Sequence, residues 1–378
     1  MNSQYDFVKR MSELYALLQD DQSRALFWDR LKFDVNPGIT NMIDLYADGA
    51  CLNAQQRKEQ KNCLARIRAL YEDGKQVLLY GAGVCGKIYA KMFRYEGVPF
   101  TGFCDQNAAV LSKKGLAEPI YSIEHLLKHQ NNCYVIIATT IYYDEIKSLL
   151  LKWKFPADHI LPLLSYDFMR GIGRQYFEFP EFFRQGTAFV DGGCYNAEDS
   201  IYFSKWCKGQ YSKIFAFEPD FQNADVCRKN AQAAGLSNFE LRQAGLSKKE
   251  GVASFAVGNQ QSSCFTEYIK TGALLYDLID PSETLEAVCM ESMDQVVGDN
   301  IVGFIKLDIE GSELDGLYGA ERTLMRDKPF LAISIYHRVA DMLAIMDYLH
   351  EIVPEYRFRI RHYSTFPDET VLYASQWI

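Results

Sequence analysis

Twice in 378 residues an apolar run meets a glycine turn and then a helical pattern. The first junction is "QVLLYGAGVCGKIYA" (76–90) and the second is "TAFVDGGCYNAEDS" (187–200). A strand that hands the chain through a tight turn to a helix opens a parallel sheet. Parallel strands need long crossovers, and helical crossovers cover both sheet faces. The strands near both junctions are accordingly continuous apolar runs that alternate with helical stretches. The predicted class is α/β, with two Rossmann-like doubly wound domains behind a helical N-terminal segment.

The expected boundaries follow the pattern changes. Residues 1–74 read as helices, with Phe7, Met11, Leu14, Tyr15 and Leu18 at helical spacing in the first. Residues 75–164 read as a Rossmann-like accessory domain with strands "QVLLYG", "FTGFCD", "CYVIIAT" and "HILPL". Residues 165–186, "SYDFMRGIGRQYFEFPEFFRQG", are broken by Gly171, Gly173 and Pro180 and read as a linker or lid. The phenylalanines of this stretch are costly to expose, so it is expected to pack between domains. Residues 187–378 supply five further parallel-type strands and a closing pair, "YRFRIRHY" and "TVLYASQ". Five parallel strands closed by an antiparallel pair make a seven-stranded sheet, the architecture of S-adenosylmethionine (SAM)-dependent methyltransferases.

Chemistry-bearing residues gather at predicted strand ends in this last domain. Asp191 ends the first strand, and Gly193 lets the backbone turn and approach a ligand. Glu218 ends the second strand in "FAFEPD", where a carboxylate meets the hydroxyls of a ribose. Glycine turn and acidic strand end do not by themselves separate NAD from SAM. Ala197 at the third glycine position, and Glu198 and Asp199 at the helix start, lean toward a sulfonium rather than a pyrophosphate. In "FIKLDIEGSEL", Lys306, Asp308 and Glu310 share one face of a strand as it ends. His337 ends the next strand in "SIYH". Ligands of open parallel sheets bind beyond the carboxyl ends of the strands, where these residues converge.

The stretches "FVDGGCYNAED", "IFAFEPD", "KLDIEGSE" and "ISIYHRVADM", in that order, resemble the FkbM family of SAM-dependent methyltransferases over about residues 187–376. The resemblance implies O-methylation of a hydroxyl on a sugar, glycan or related natural product, with SAM as cofactor. Carried over by position, Asp191, Gly193, Cys194, Tyr195, Asn196, Glu218, Gln243 and Ala244 are expected at the cofactor. The family often has Asp–Gly where this chain has Asn196–Ala197. Asp308, Glu310 and His337 are expected at the catalytic mouth. His337 is favoured as general base because its ordinary pKa lies near neutrality, with Asp308 orienting it or the acceptor. An alternative has Asp308, Glu310 and His337 binding a divalent metal that acidifies the hydroxyl.

The first junction carries Gly81, Gly83 and Gly86, with Asp105 at the next strand end. That spacing suits a nucleotide or nucleotide-sugar as a second partner. It leaves open two rivals: an NAD-dependent oxidoreductase using the Gly81–Gly86 turn, and a non-enzymatic nucleotide-sugar-binding protein. A net charge of −9 without a basic run argues against nucleic acid. No apolar run reaches the length of a membrane helix, and no signal-peptide pattern opens the chain. The ten cysteines form no C-x-x-C pair, so a reduced, cytoplasmic chain is expected, with homo-oligomerisation open.

Overall fold

The computed structural model describes residues 2–114, 117–257, 264–265 and 284–376. The chain divides into two compact units. One comprises Met1–Phe27, Gly173–Arg361 and Asp368–Ile378, and the other Trp28–Ile172 and His362–Pro367.

The second of these holds a four-stranded parallel sheet in the order β3-β2-β1-β4. The strands are β1 (Gln76–Tyr80), β2 (Gly102–Cys104), β3 (Ile120–Tyr121) and β4 (Cys133–Ile137). Leu78, Tyr80, Cys104, Val135 and Ile137 meet the helix residues Leu126 and Leu150 in its core. The strand expected at 159–163 is absent. Ala157–His159 is a 3₁₀ turn, Ile160 makes one parallel bridge to Val135, and Pro162 then has no N–H to continue a ladder. The short strand Ile120–Tyr121 takes the edge instead, too brief for its alternation to register in the sequence.

The other unit is built on a seven-stranded sheet. Its strands in chain order are β5 (Ala188–Gly192), β6 (Ile214–Phe217), β7 (Phe239–Arg242), β12 (Val302–Leu307), β13 (Phe330–Ser334), β14 (Arg357–His362) and β15 (Thr370–Ser375). They lie in the order β14-β15-β13-β12-β5-β6-β7. The five adjacent strands β7, β6, β5, β12 and β13 are parallel, and β15 runs antiparallel to β13. This is the predicted SAM-dependent methyltransferase fold, an α/β sheet whose order reverses between β5 and β12. Between β7 and β12 the chain forms a smaller sheet from β8 (Gly245–Leu246), β9 (Gly251–Val257), β10 (Cys264–Phe265) and β11 (Thr284–Glu291), in the order β10-β9-β11-β8. The sequence reading assigned no element there.

Two segments sit differently from expectation. The helices expected over 1–74 form, at Asn2–Ala16, Asp21–Val35, Ile39–Gly49 and Ala54–Glu72, but the first 27 residues belong with the seven-stranded sheet. Leu17 O accepts from Phe358 N (3.1 Å), Gln19 N donates to Phe358 O (3.0 Å), and Arg361 on β14 donates to Asp20 and Glu178 (2.9 Å each). This pairing covers the free edge of β14, which would otherwise present unpaired backbone groups. The second segment is the linker, expected over 165–186. Its Tyr176, Phe177, Phe179 and Phe182 are buried against the seven-stranded sheet, where Phe177 meets Phe304 (5.9 Å) and Phe179 meets Tyr373 (5.0 Å). Its aromatic content is sheet cover. Among the described residues no helix is long and apolar enough to cross a membrane.

The two inner glycines of the first turn have opposite packing. A Cβ on Gly86 would lie 1.9 Å from Gly81 O, whereas one on Gly83 meets nothing within 4 Å. Gly86→Ala is therefore expected to destabilise the protein by about 1–3 kcal/mol, the usual range for overpacking. Gly83→Ala is expected to be nearly neutral. Urea melts of the two variants check this, and equal midpoints would contradict it.

Candidate active site

The crevice beyond the carboxyl ends of β5 and β12 is the switch point of the seven-stranded sheet, where such sheets bind ligands. The register places Asp191 beside Lys306 across that junction. Both side chains are buried in the sheet, Lys306 at 2% exposure. Lys306 Nζ donates to Asp191 Oδ1 (3.1 Å) and to Gly193 O (2.8 Å), and lies 3.6 Å from Asp199 Oδ2. Burial opposes its charge, but Asp191 and Asp199 outweigh it and hold the ammonium protonated, above its ordinary range. The other oxygen of Asp191 accepts from Ser200 Oγ (2.7 Å). Asp191 is thus fully buried, with both oxygens bonded to side chains that hold the turn.

The turn after β5 is compelled at Gly193. Its φ is +75°, and a Cβ there would lie 1.8 Å from Asp308 O. Tyr195 and Ala197 also take left-handed backbone, at φ +46° and +66°. Such non-glycine residues cost on the order of 1–3 kcal/mol and persist only where the surroundings impose them. Ala197 is fully buried and donates its N–H to Cys194 O (2.8 Å), so it reproduces the turn without the glycine. Asn196 Oδ1 accepts from Glu198 N (3.0 Å) and closes the loop at the start of the helix Glu198–Trp206. The side chain of Cys194 points into the core, its sulfur 3.4 Å from that of Cys227.

Glu218 is tied to this turn. Its Oε2 accepts from Tyr195 N (3.0 Å) and its Oε1 from Asp220 N (2.9 Å). Burial, with the negative Asp220 nearby, pushes its pKa up to about 7, against the two backbone donors and Lys306. Gln243 and Ala244 follow β7, the first exposed and the second buried. Asp191, Gly193, Tyr195, Asn196 and Glu218 therefore lie in one connected turn.

The catalytic trio also converges. His337 Nε2 lies 3.5 Å from both Asp308 Oδ1 and Glu310 Oε2. Its Nδ1 lies 2.9 Å from Glu313 Oε1. Carboxylates on both sides of a buried ring are the surroundings of a doubly protonated imidazole. Burial works against the charge, but Glu313, Glu310 and Asp308 raise the His337 pKa to about 10. Carboxylates on both edges of the ring favour its charged form, which stands against the neutral histidine base expected from the sequence. Asp308 is the opposite case. Burial opposes its ionisation, yet His337, Lys306 and the Tyr176 hydroxyl hold it below the usual carboxylate range. Tyr176 donates to Asp308 Oδ2 (2.8 Å) and Tyr336 to Asp308 Oδ1 (3.1 Å).

The metal alternative meets the same geometry. Asp308, Glu313 and His337 offer donor atoms within 4.8 Å of one another. Of the set expected from the sequence, Asp308 and Glu310 both face Nε2, while Glu313 faces Nδ1 on the opposite edge of the ring. Tyr176, Tyr336 and Glu313 were missed by the sequence reading. Glu313 stood within the quoted "KLDIEGSE", but Tyr176, distant in the chain, gave no local signal.

The turn of the other unit has the same internal wiring. Gly81 has φ +110°, Asp105 Oδ2 accepts from Ala82 N (2.9 Å), and its Oδ1 accepts from Asn107 N (2.8 Å). No catalytic-type cluster was read in that part of the sequence.

Residues 191–360 match the family model described as the Methyltransferase FkbM domain. Among solved structures, a methyltransferase FkbM from Methylobacillus flagellatus KT is similar at 17% identity. It covers 90% of this chain and 100% of its own, with a TM-score of 0.45. An rRNA methylase from Streptococcus thermophilus is similar at 13% identity over 54% of this chain and 98% of its own (TM-score 0.34). A SAM-dependent methyltransferase from Aquifex aeolicus follows at 14% identity over 52% and 86% (TM-score 0.31). No curated protein sequence matches the chain. With its seven-stranded sheet and its glycine turn at the switch point, the chain carries an FkbM methyltransferase domain over residues 191–360.

Proposed function

We propose that this methyltransferase takes its methyl group from SAM and delivers it to a hydroxyl oxygen of a sugar, glycan or related natural product. The observation that carries the reading is the meeting, at one sheet switch point, of a ribose-type carboxylate and a proton-handling cluster. Glu218 and the Gly193 turn close one side, and Asp308 with His337 closes the other.

SAM supplies an electrophilic methyl on a sulfonium, and the remaining work falls to the chain's own residues. An ionised carboxylate has about four acceptor sites, and Glu218 uses one on each oxygen for a backbone N–H. The others are left for two ribose hydroxyls. Asp308 takes the acceptor's proton as the oxygen–methyl bond forms. Its low pKa makes it a weak base toward a free hydroxyl, but the hydroxyl becomes strongly acidic as it is alkylated, so a carboxylate suffices. His337, held as a cation, keeps Asp308 ionised, and the two tyrosine hydroxyls hold its oxygens in place. A hydroxyl beside Asp308 is then oriented for in-line attack, which is catalysis by proximity and positioning.

The turn Gly81–Gly86 takes no step in this reading. Its open Gly83 and the Asp105 wiring support a nucleotide or nucleotide-sugar as an accessory partner, and NAD in the rival oxidoreductase reading. Gly83→Val is expected to leave SAM binding intact, and Gly193→Val, whose side chain has no room beside Asp308 O, to destabilise the turn and lose SAM binding. Calorimetry with SAM and NAD on both variants checks the assignment, and loss of SAM binding in Gly83→Val would reverse it.

Glu218→Ala is expected to weaken SAM binding by about 1.5–3 kcal/mol, the scale of hydrogen bonds to a charged group. Hydroxyls that donate to Glu218 favour its ionised form. Wild-type affinity for SAM should therefore fall as pH drops through about 7, and Glu218→Ala should lose that dependence. Equal affinities at pH 6 and pH 8 would remove Glu218 from the ribose.

Asp308→Asn is expected to lower turnover by about 10²–10⁴-fold, the usual worth of positioned acid–base catalysis. In the wild type, the raised pKa of His337 keeps it charged at neutral pH, and the charge is lost as pH rises through about 10. The rate should therefore decline at that alkaline limb. A rate that instead climbs through pH 6–7 and is lost in His337→Gln would restore histidine as the base.

A further inference from the structure

The last glutamate of "KLDIEGSE" has no place in the chemistry described so far. Glu313 opens the helix Glu313–Tyr318 and is fully buried. Carboxylates are almost never fully buried unless paired. Its Oε1 accepts from Ile309 N (2.9 Å), within the loop that carries Asp308 and Glu310, and lies 2.9 Å from His337 Nδ1. One oxygen therefore ties the end of β12 to the residue that follows β13. Asp308 and Glu310 approach the imidazole from its opposite edge.

We infer that Glu313 is a positioning residue for methyl transfer: paired with the ring at Nδ1, it holds His337 so that the Nε2 edge is aimed between Asp308 and Glu310. This rests on the reading of Asp308 as proton acceptor and explains what keeps that acceptor ionised. A ring free to turn or to lose a proton would leave Asp308 beside Glu310, with two carboxylates competing for one proton. A buried acid on the far nitrogen removes both freedoms. The arrangement is the carboxylate–imidazole orientation used wherever a histidine must present one defined edge.

Other groups also face this ring. Asp341 is buried beside it, and burial together with the Glu313 charge raises the Asp341 pKa to about 8, so it is largely neutral at pH 7. Burial, then Asp368 and Asp308, raise the pKa of Glu369, before β15. The Tyr336 ring lies 4.0 Å from the imidazole, and the neighbouring Arg338 donates to Gly311 O (3.3 Å). The carboxylates within ion-pair distance of the His337 nitrogens are Glu313, Glu310 and Asp308. Glu313 is the closest to a ring nitrogen and the most buried.

The test reads the imidazole nitrogens of His337 by NMR in the full-length protein, with assignment by His337→Gln, and needs neither acceptor nor cofactor. In the wild type both nitrogens should carry protons at pH 8. In Glu313→Gln the titration midpoint should fall by at least about one pH unit, the effect of removing an adjacent opposite charge. Glu313→Asp should recover part of that shift. An unchanged midpoint in folded Glu313→Gln overturns the inference. Should that variant not fold, the wild type decides. A downfield Nδ1–H and a midpoint above pH 8 support the anchoring, and a ring that titrates near 6.5 overturns it. Failure of the parent reading is seen separately, as wild-type turnover in Asp308→Asn.

Discussion

The site depends on one buried ion pair. Lys306 and Asp191 face each other across β12 and β5, in the middle of the seven-stranded sheet, with both charges out of water. Removing one partner from such a pair costs about 3–5 kcal/mol, because the other is left buried and uncompensated. Lys306 also binds the carbonyl of Gly193, and Asp191 also binds Ser200 on the following helix. The pair thus fastens the glycine turn to the strand that delivers Asp308. The Glu218 side and the Asp308 side of the crevice are held by the same two charges.

The two glycine turns of the chain show why a glycine pattern alone is a poor guide. Both use an acidic residue at the next strand end to accept a backbone N–H of the turn: Asp105 from Ala82, and Glu218 from Tyr195. The first has the better glycine spacing. The second reaches the same kind of turn with Ala197 in left-handed backbone. What distinguishes them is the neighbouring strand ends. Around the second turn they bring carboxylates, a histidine and two tyrosines together, and the family match covers that part of the chain.

Charge placement then separates the roles of Asp308 and His337. As isolated residues they read as acid-side orienter and neutral base. Packed together, each holds the other ionised, and Glu313 completes the arrangement from behind the ring. A buried histidine among carboxylates becomes a fixed cation, because the cost of desolvating its charge is smaller than the gain from three opposite ones. In the proposed methyl transfer this leaves the proton-accepting role to the carboxylate.

Much of this was legible in the sequence, because it depends on local order. Apolar strands ending in Asp191, Glu218, Lys306–Asp308 and His337 carry their positions in the chain, and a parallel sheet puts such ends on one edge. The seven-stranded sheet followed from strand count and the closing pair, and its order came from the structure. The edge strand Ile120–Tyr121, the sheet formed by β8–β11 and the docking of residues 1–27 on β14 were not legible, since short strands and edge pairing leave no periodicity. Tyr176 reaches Asp308 from 132 positions away, and Glu313 reaches His337 across two strands. Sequence alone brought Asp191, Glu218, Asp308, Glu310 and His337 to one edge of the sheet. Only the tertiary structure decided their protonation, because a pKa is set by neighbours in space and by burial, and neither is written in the spacing of residues along a chain.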